Sequence, residues 1–123
     1  MLSGERLLIV EEEFMIALDI QRILEGANAR HTVFARNYKE LSALEDRFPD
    51  FDLAIVTRPR LGTGDAAIAE RLVKAGPALV VCSAARANLA DTALAHAQVV
   101  YKPFSDEELL AACRRALAGR GEI

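Results

Sequence analysis

The chain has 123 residues, of which 52% are hydrophobic, and its 15 basic and 18 acidic residues give a formal net charge of −3. This length supports one hydrophobic core, so we expect a single domain over residues 1–123. The excess of acidic residues argues against a protein that binds nucleic acid phosphates. The apolar run at 7–10 is too short for a secretion signal or a membrane span. We therefore expect a cytoplasmic protein that binds neither nucleic acid nor membranes.

Short apolar runs rich in Val, Ile and Leu predict five β-strands. In chain order they cover residues 7–10, 31–35, 53–56, 78–82 and 97–101, and the run at 31–35 is the weakest. The runs lack the clean alternation of apolar and polar residues that marks a sheet with one solvated face. They are typical of a parallel sheet that is covered on both faces.

Helical signals fill the segments between the strands. Predicted helices cover 16–27, a segment that begins at Asn37, 64–76, 85–97 and a last segment that begins at Ser105. Asn37 and Ser105 are each followed three residues later by a glutamate, which is the arrangement of a reciprocal N-terminal cap. The helix at 85–97 has the weakest pattern because its alanines carry little periodicity.

Five strands that alternate with five helices predict a three-layer α/β domain with a doubly wound, five-stranded parallel sheet. In such sheets the functional crevice lies beyond the carboxyl ends of the strands. The candidate functional residues are therefore those that directly follow a strand. They are Glu11 and Glu12 after the first strand, Thr57 and Arg58 after the third, Ser83 after the fourth, and Lys102 and Pro103 after the fifth.

The two cysteines, Cys82 and Cys113, lie far apart in the sequence. Each is surrounded by apolar residues, in VVCSA and AACRRAL. This setting indicates reduced thiols in the core rather than a disulfide or a metal pair.

Five sequence stretches spread over nearly the whole chain resemble the receiver domain of two-component response regulators. They are IVEEEF, FDLAIVT, LGTG, VVCSA and VVYKPFS. The resemblance implies a flavodoxin-like sheet with strand order 2-1-3-4-5. In that family an acidic cluster after the first strand helps to hold magnesium and an aspartate after the third strand accepts a phosphoryl group. A Ser or Thr follows the fourth strand, and a Lys-Pro pair follows the fifth.

Carried over residue by residue, the resemblance makes Glu11 and Glu12 the acidic cluster. It makes Ser83 the switch hydroxyl and Lys102, followed by Pro103, the phosphate-facing lysine. The structural alternatives are an acidic helix start for the glutamates, an N-cap for Ser83 and a surface lysine for Lys102. The shared position of these residues at strand ends, in the family's order, favours the functional interpretation.

The phosphoacceptor position is where the chain departs from the family. It falls on Thr57 when counted from the start of the strand and on Arg58 when counted back from the following loop, and neither residue is a carboxylate. Asp52 lies at the wrong end of the strand, and Asp65 is expected to begin or cap the next helix. The sequence thus predicts a phosphorylation pocket whose nucleophile has been replaced.

A second departure concerns the switch residues. The family often has an aromatic residue three positions before the lysine, and here that position is Val99. Tyr101 points to the same side of the predicted strand and is the candidate substitute, with core packing as the alternative role. Ser83, Val99 and Tyr101 are therefore the switch-like set.

With one anionic ligand lost and an arginine gained, we expect magnesium at Glu11 and Glu12 to bind weakly or not at all, and no cofactor to be required. Lys102 is expected to lie near both glutamates, with Arg58 or Arg60 leaning in from the loop. A cation of the protein would then take the place of the metal. Glu12 is the carboxylate that we expect to be coupled to one of these cations.

Three functional hypotheses follow. The first is a stand-alone, non-catalytic signalling module that binds a histidine kinase, a phosphotransfer protein or an output regulator, with homodimerisation left open. The second is a phospho-switch that accepts phosphate at Thr57 or another residue, for which the sequence offers no adjacent histidine or aspartate base. The third, a flavodoxin-like flavin-binding protein, ranks last because glutamates occupy the place of a phosphate-cradling loop.

Overall fold

Five parallel strands form the central sheet of the computed structural model, which describes residues 2–60, 62–84, 89 and 92–121. The strands are β1 Arg6–Val10, β2 Arg30–Ala35, β3 Leu53–Thr57, β4 Ala78–Ser83 and β5 Gln98–Tyr101. Their order in the sheet is β2-β1-β3-β4-β5, and every neighbouring pair is parallel. The doubly wound, flavodoxin-like topology is therefore confirmed.

Within the described residues, three α-helices and one 3-10 helix lie between the strands, and a fourth α-helix follows β5. The helices are α1 Phe14–Gly26, α2 Tyr38–Ser42, α3 Asp65–Ala75 and α4 Asp106–Gly121, and the 3-10 helix covers Glu45–Asp50 between α2 and β3. None of the helices in the described part of the chain is long and apolar enough to cross a bilayer.

The core consists of two layers, one on each face of the sheet. Leu7 and Ile9 of β1 point into the layer formed with α1 and α4, whereas Leu8 and Val10 point into the layer formed with α2, α3 and the 3-10 helix. Both faces of the strand are buried. This is why the apolar run at 7–10 shows no alternation with polar residues.

The prediction of a helix over 85–97 is wrong for residues 92–97, which form turns, and residues 85–88 and 90–91 lie outside the described residues. The Thr92 hydroxyl donates to the Leu89 carbonyl at 2.8 Å and accepts from the Leu94 amide at 3.2 Å. Such bonds from a side chain to the backbone compete with helical hydrogen bonds. The many alanines add little buried surface to outweigh them.

The two predicted N-terminal caps differ in their geometry. At α4 both bonds form, because Ser105 N donates to Glu108 Oε1 at 3.0 Å and Glu108 N donates to Ser105 Oγ at 3.1 Å. At α2 the Asn37 side chain accepts from Glu40 N at 2.9 Å, but the Glu40 carboxylate accepts from Arg36 N instead of Asn37 N. The second cap is therefore only half of the predicted pair.

Cys82 and Cys113 are free, buried thiols in the layer shared with α1 and α4, as predicted. Burial raises the pKa of each thiol to about 12, from a reference value of 9.0. In the unfolded chain the thiols regain ordinary pKa values. The folded state therefore binds their protons more tightly than the unfolded state does.

We expect the free energy of unfolding to fall as the pH rises above about 9, because the unfolded state then ionises thiols that the folded state keeps neutral. Between neutral pH and about pH 10 the two thiols together should account for a loss of roughly 2–3 kcal/mol. Urea denaturation at both pH values measures this loss. In a Cys82→Ala, Cys113→Ala variant the loss of unfolding free energy between the two pH values should be smaller by the contribution of the thiols. An equal loss in the variant and the unmodified protein would contradict the explanation.

Candidate functional site

The carboxyl ends of β1, β3, β4 and β5 bring the predicted site residues to one edge of the sheet. Thr57 and Ser83 end β3 and β4, Glu11 directly follows β1, and Lys102 directly follows β5. The Lys102 amide donates to the Ser83 carbonyl at 2.8 Å, which extends the β4–β5 pairing by one residue. Its side chain therefore starts from the outermost strand of the sheet.

The central contact of this edge is an ion pair between Lys102 and Glu11. The Lys102 Nζ atom lies 2.7 Å from Glu11 Oε1, although β3 and β4 separate the two strands that carry these residues. Only 3% of the Glu11 side chain and 16% of the Lys102 side chain are exposed. The second carboxylate oxygen, Oε2, accepts from Glu13 N at 3.1 Å, so both oxygens of Glu11 are occupied.

The two neighbouring glutamates of the acidic cluster take no part in this contact. Glu12 and Glu13 are exposed and form no ion pair with a described residue. The Glu11 amide still bonds to the Ala35 carbonyl of β2 at 3.0 Å, which holds Glu11 in line with the strand, whereas the next two residues turn away towards α1. The expectation that Lys102 also faces Glu12 is therefore corrected, and Glu11 is its partner.

At the end of β3 the structure places Thr57 on the sheet edge and Arg58 in the loop that follows. Thr57 is half-buried, and its carbonyl accepts from the Tyr38 hydroxyl at 2.6 Å. Burial of Tyr38, together with the nearby charge of Asp65, raises the pKa of its phenol. Arg58 is exposed and reaches neither Glu11 nor Asp65 within ion-pair distance.

The loop between β3 and α3 is held by Asp65, which begins α3 as predicted and is 8% exposed. Its Oδ2 atom accepts from the Arg60 amide at 3.0 Å and lies 3.5 Å from Arg60 Nε. Its own amide donates to Thr63 Oγ1 at 3.1 Å. Arg60 is thus bound to Asp65 and does not lean towards Glu11, and the Asp65 carboxylate serves to shape the loop.

The switch-like residues lie at the ends of β4 and β5. Ser83 is buried and pairs in register with Tyr101, while Val99 pairs with Val81 and packs against the layer that holds α2 and α3. Tyr101 is 39% exposed on that same side of β5. The side chain of Pro103 is exposed, and the peptide bond that precedes it is cis.

A cleft of about 960 Å³ opens beside the ion pair, between the start of α3 and the segment after β4. Sequence reasoning missed it, because its walls come from separate loops that carry no shared motif. Among the described residues, its polar lining combines three cations with hydroxyl groups and one carboxylate, and mostly small apolar side chains complete the lining. The polar lining residues are Thr57, Arg58, Arg60, Thr63, Glu70, Ser83, Thr92 and Lys102.

The residues at this edge do not fit a magnesium site of the kind that the resemblance implies. Glu11 already contacts a cation at 2.7 Å, and the end of β3 offers a hydroxyl and a guanidinium in place of a carboxylate. In the described part of the chain no group of three or more acidic, histidine or cysteine side chains is arranged to hold a metal ion. Magnesium prefers several oxygen ligands, and the buried carboxylate of Glu11 is already bound to Lys102.

No family model matches the chain, and no curated protein sequence matches it. Solved structures do. A response regulator from Thermotoga maritima is 20% identical with a TM-score of 0.77, over 94% of this chain and 99% of that one. The chemotaxis response regulator CheY4 of Vibrio cholerae is 17% identical with a TM-score of 0.74, over 94% and 100%.

The signal receiver domain of an HD domain-containing protein from Pseudomonas fluorescens Pf-5 is 20% identical with a TM-score of 0.75, over 98% of this chain and 92% of that one. Each of these matches covers nearly the full length of this chain and of the solved structure. At such identities they establish shape rather than activity. The chain has the fold of response regulator receiver domains.

Proposed function

We propose that the chain is a receiver-like signalling module that works by binding a protein partner and not by accepting a phosphoryl group. The observation that carries this proposal is the ion pair between Lys102 and Glu11, at an edge where β3 ends without a carboxylate. Phosphoryl transfer to a receiver needs a carboxylate nucleophile and a cation to offset charge on the equatorial oxygens. Here the nucleophile is missing, and the lysine is already neutralised by Glu11.

The two buried carboxylates of the described residues, Glu11 and Asp65, are both engaged. Glu11 binds Lys102 and Glu13 N, and Asp65 binds the backbone and side chain of Arg60. Neither is therefore available as a general base for the Thr57 hydroxyl without breaking its present contacts. This supports the non-catalytic hypothesis over a phosphate ester at Thr57.

In this proposal Lys102 acts as an internal counter-ion and locks the edge in one state. The pair is largely shielded from water, since only 3% of the Glu11 side chain and 16% of the Lys102 side chain are exposed. Separating two such charges would leave a buried carboxylate without a partner, which is unfavourable. The module would therefore present one constant surface rather than alternate between two.

The partner surface that we favour is the exposed apolar side of α1. Phe14, Met15 and Leu18 are 68%, 76% and 38% exposed. Phe34 of β2, 39% exposed, lies on the same face of the sheet because its register partner Ile9 points into the layer beneath α1. Clusters of exposed large apolar side chains mark protein interaction sites. A histidine kinase, a phosphotransfer protein or an output regulator is the class of partner that the receiver fold favours.

Incubation with acetyl phosphate and magnesium should leave the intact mass of the protein unchanged, because no free carboxylate lies at the end of β3. The matched variants are Thr57→Asp and Arg58→Asp, which restore a carboxylate at each candidate acceptor position. The variant with the correct register should gain an alkali-labile phosphoryl group. A gain of that kind in the unmodified protein would show that another carboxylate has taken over, and the proposal would fail.

Replacing either partner of the ion pair should destabilise the fold by about 1–3 kcal/mol, through the buried group left unpaired. We would compare Glu11→Gln, Lys102→Met and the double variant by urea denaturation. Since both changes remove the same contact, a coupling energy should appear in the cycle. The same cycle built with Glu12→Gln should be additive, and coupling to Glu12 rather than Glu11 would contradict the geometry.

Polar substitution of the α1 surface should abolish partner binding while leaving the fold intact, because these side chains contribute little to the core. A two-hybrid screen of Phe14→Ser, Met15→Ser against the histidine kinases and phosphotransfer proteins of the source genome tests this. Ala118→Ser, an exposed apolar position near the end of α4, is the control. Binding that survives in the α1 variant would place the partner surface elsewhere.

A further inference from the structure

Three arginines lie at one corner of the molecule, near the amino ends of the strands: Arg6 and Arg30 begin β1 and β2, and Arg47 lies in the 3-10 helix that precedes β3. Five arginines of the described chain form ion pairs with carboxylates: Arg22, Arg36, Arg60, Arg71 and Arg120. Arg6, Arg30 and Arg47 form none with a described residue. Arg6 and Arg30 are register partners at the start of β1 and β2. Asp52 lies at the same corner, where it accepts from the Arg6 amide and pairs with Arg120, so the guanidinium groups of Arg6 and Arg47 remain without a carboxylate partner among the described residues.

A cleft of about 300 Å³ lies at this corner, and Arg6 and Arg47 both line it. Arg47 comes from the 3-10 helix, and its guanidinium carbon lies 5.7 Å from the centroid of the buried Phe51 ring. This stacking limits the freedom of the guanidinium without neutralising its charge. The complete set of lining residues is Arg6, His31, Thr32, Val33, Arg47, Asp50 and Phe51.

The backbone at His31 provides a second, independent observation. Arg6 pairs with Arg30 and Leu7 with Thr32, so His31 is an extra residue in β2, and its φ of 52° lies in the left-handed region. Bulges of this kind re-aim a side chain, and positive φ in a residue other than glycine concentrates at ligand sites. The irregular backbone turns the His31 side chain into the wall of the cleft that Arg6 and Arg47 share.

We propose that this cleft binds a small phosphorylated sugar or polyol. Guanidinium groups match phosphate oxygens with paired hydrogen bonds, and two of them face one cavity here. Asp50 is the one carboxylate among the described lining residues. It would repel a bare anion but accept hydrogen bonds from sugar hydroxyls next to a phosphate. The volume lies at the lower end of small-molecule pockets. The Thr32 hydroxyl donates to Glu25 at 2.6 Å and is not needed for binding.

The site lies at the amino ends of the strands, opposite to the edge that holds Lys102 and Glu11. It is therefore independent of the function proposed above, and neither proposal depends on the other.

The proposal is tested by titrating the full chain with ribose 5-phosphate and monitoring the amide chemical shifts by NMR. We expect saturable shifts confined to the residues around Arg6, His31 and Arg47, weaker binding of inorganic phosphate, and none of unphosphorylated ribose. Arg6→Gln and Arg47→Gln should each weaken binding at least tenfold, roughly the loss of one charge-assisted contact. Arg114→Gln, an exposed arginine on α4, is the control and should bind as the unmodified protein does.

Asp50→Asn separates a sugar phosphate site from a simple anion site. Removing the Asp50 charge should strengthen the binding of inorganic phosphate. It should also reduce the preference of the cleft for ribose 5-phosphate over inorganic phosphate. The proposal is overturned if ribose 5-phosphate fails to bind, if it binds equally well to the Arg6→Gln and Arg47→Gln variants, or if unmodified protein binds inorganic phosphate as tightly as the sugar phosphate.

Discussion

The ion pair between Lys102 and Glu11 is the contact around which the carboxyl-end edge of the sheet is arranged. It places a cation of the protein itself at the carboxyl ends of the central strands and occupies a glutamate that has almost no access to water. A pair of this kind contributes little net stability compared with apolar packing, yet it strongly opposes any arrangement that separates its members. The pair therefore opposes rearrangement of the edge, while Tyr38 and Asp65 make hydrogen bonds to the backbone at the end of β3 and in the loop that follows.

The two ends of the sheet differ in how their charges are balanced. At the carboxyl ends Lys102 and Arg60 each contact a carboxylate, and exposed acidic residues lie beside them. At the amino ends Arg6 and Arg47 face a cleft without such a contact among the described residues. Both arrangements start from β1, since its first residue is Arg6 and Glu11 directly follows its last. One short strand thus connects the Lys102–Glu11 ion pair to the cleft that Arg6 and Arg47 line.

The sheet and most of its edge could be predicted from the sequence, for physical reasons. Apolar runs report burial on both faces, and parallel strands must end on the same side, so Glu11, Ser83 and Lys102 had to meet. Lys102 pairs with Glu11 and not with Glu12 because of the direction in which the backbone leaves β1. Residue type alone does not reveal that direction. The two clefts were missed because their walls come from separate elements. The predicted helix is absent over residues 92–97, where the alanine-rich sequence leaves the hydrogen bonds of the Thr92 side chain to decide the local backbone.

The sequence separation of the ion pair bears on how the protein is made. Glu11 and Lys102 are 91 positions apart, and the β5 strand that precedes the lysine is among the last elements of the chain. Contacts of such long range form late, because a large loop must close first. During synthesis Glu11 has left the ribosome long before its cation exists. Until then the carboxylate has no cation of the protein to neutralise it, so the arrangement around Glu11 can be completed only once the chain has been translated through β5 and Lys102.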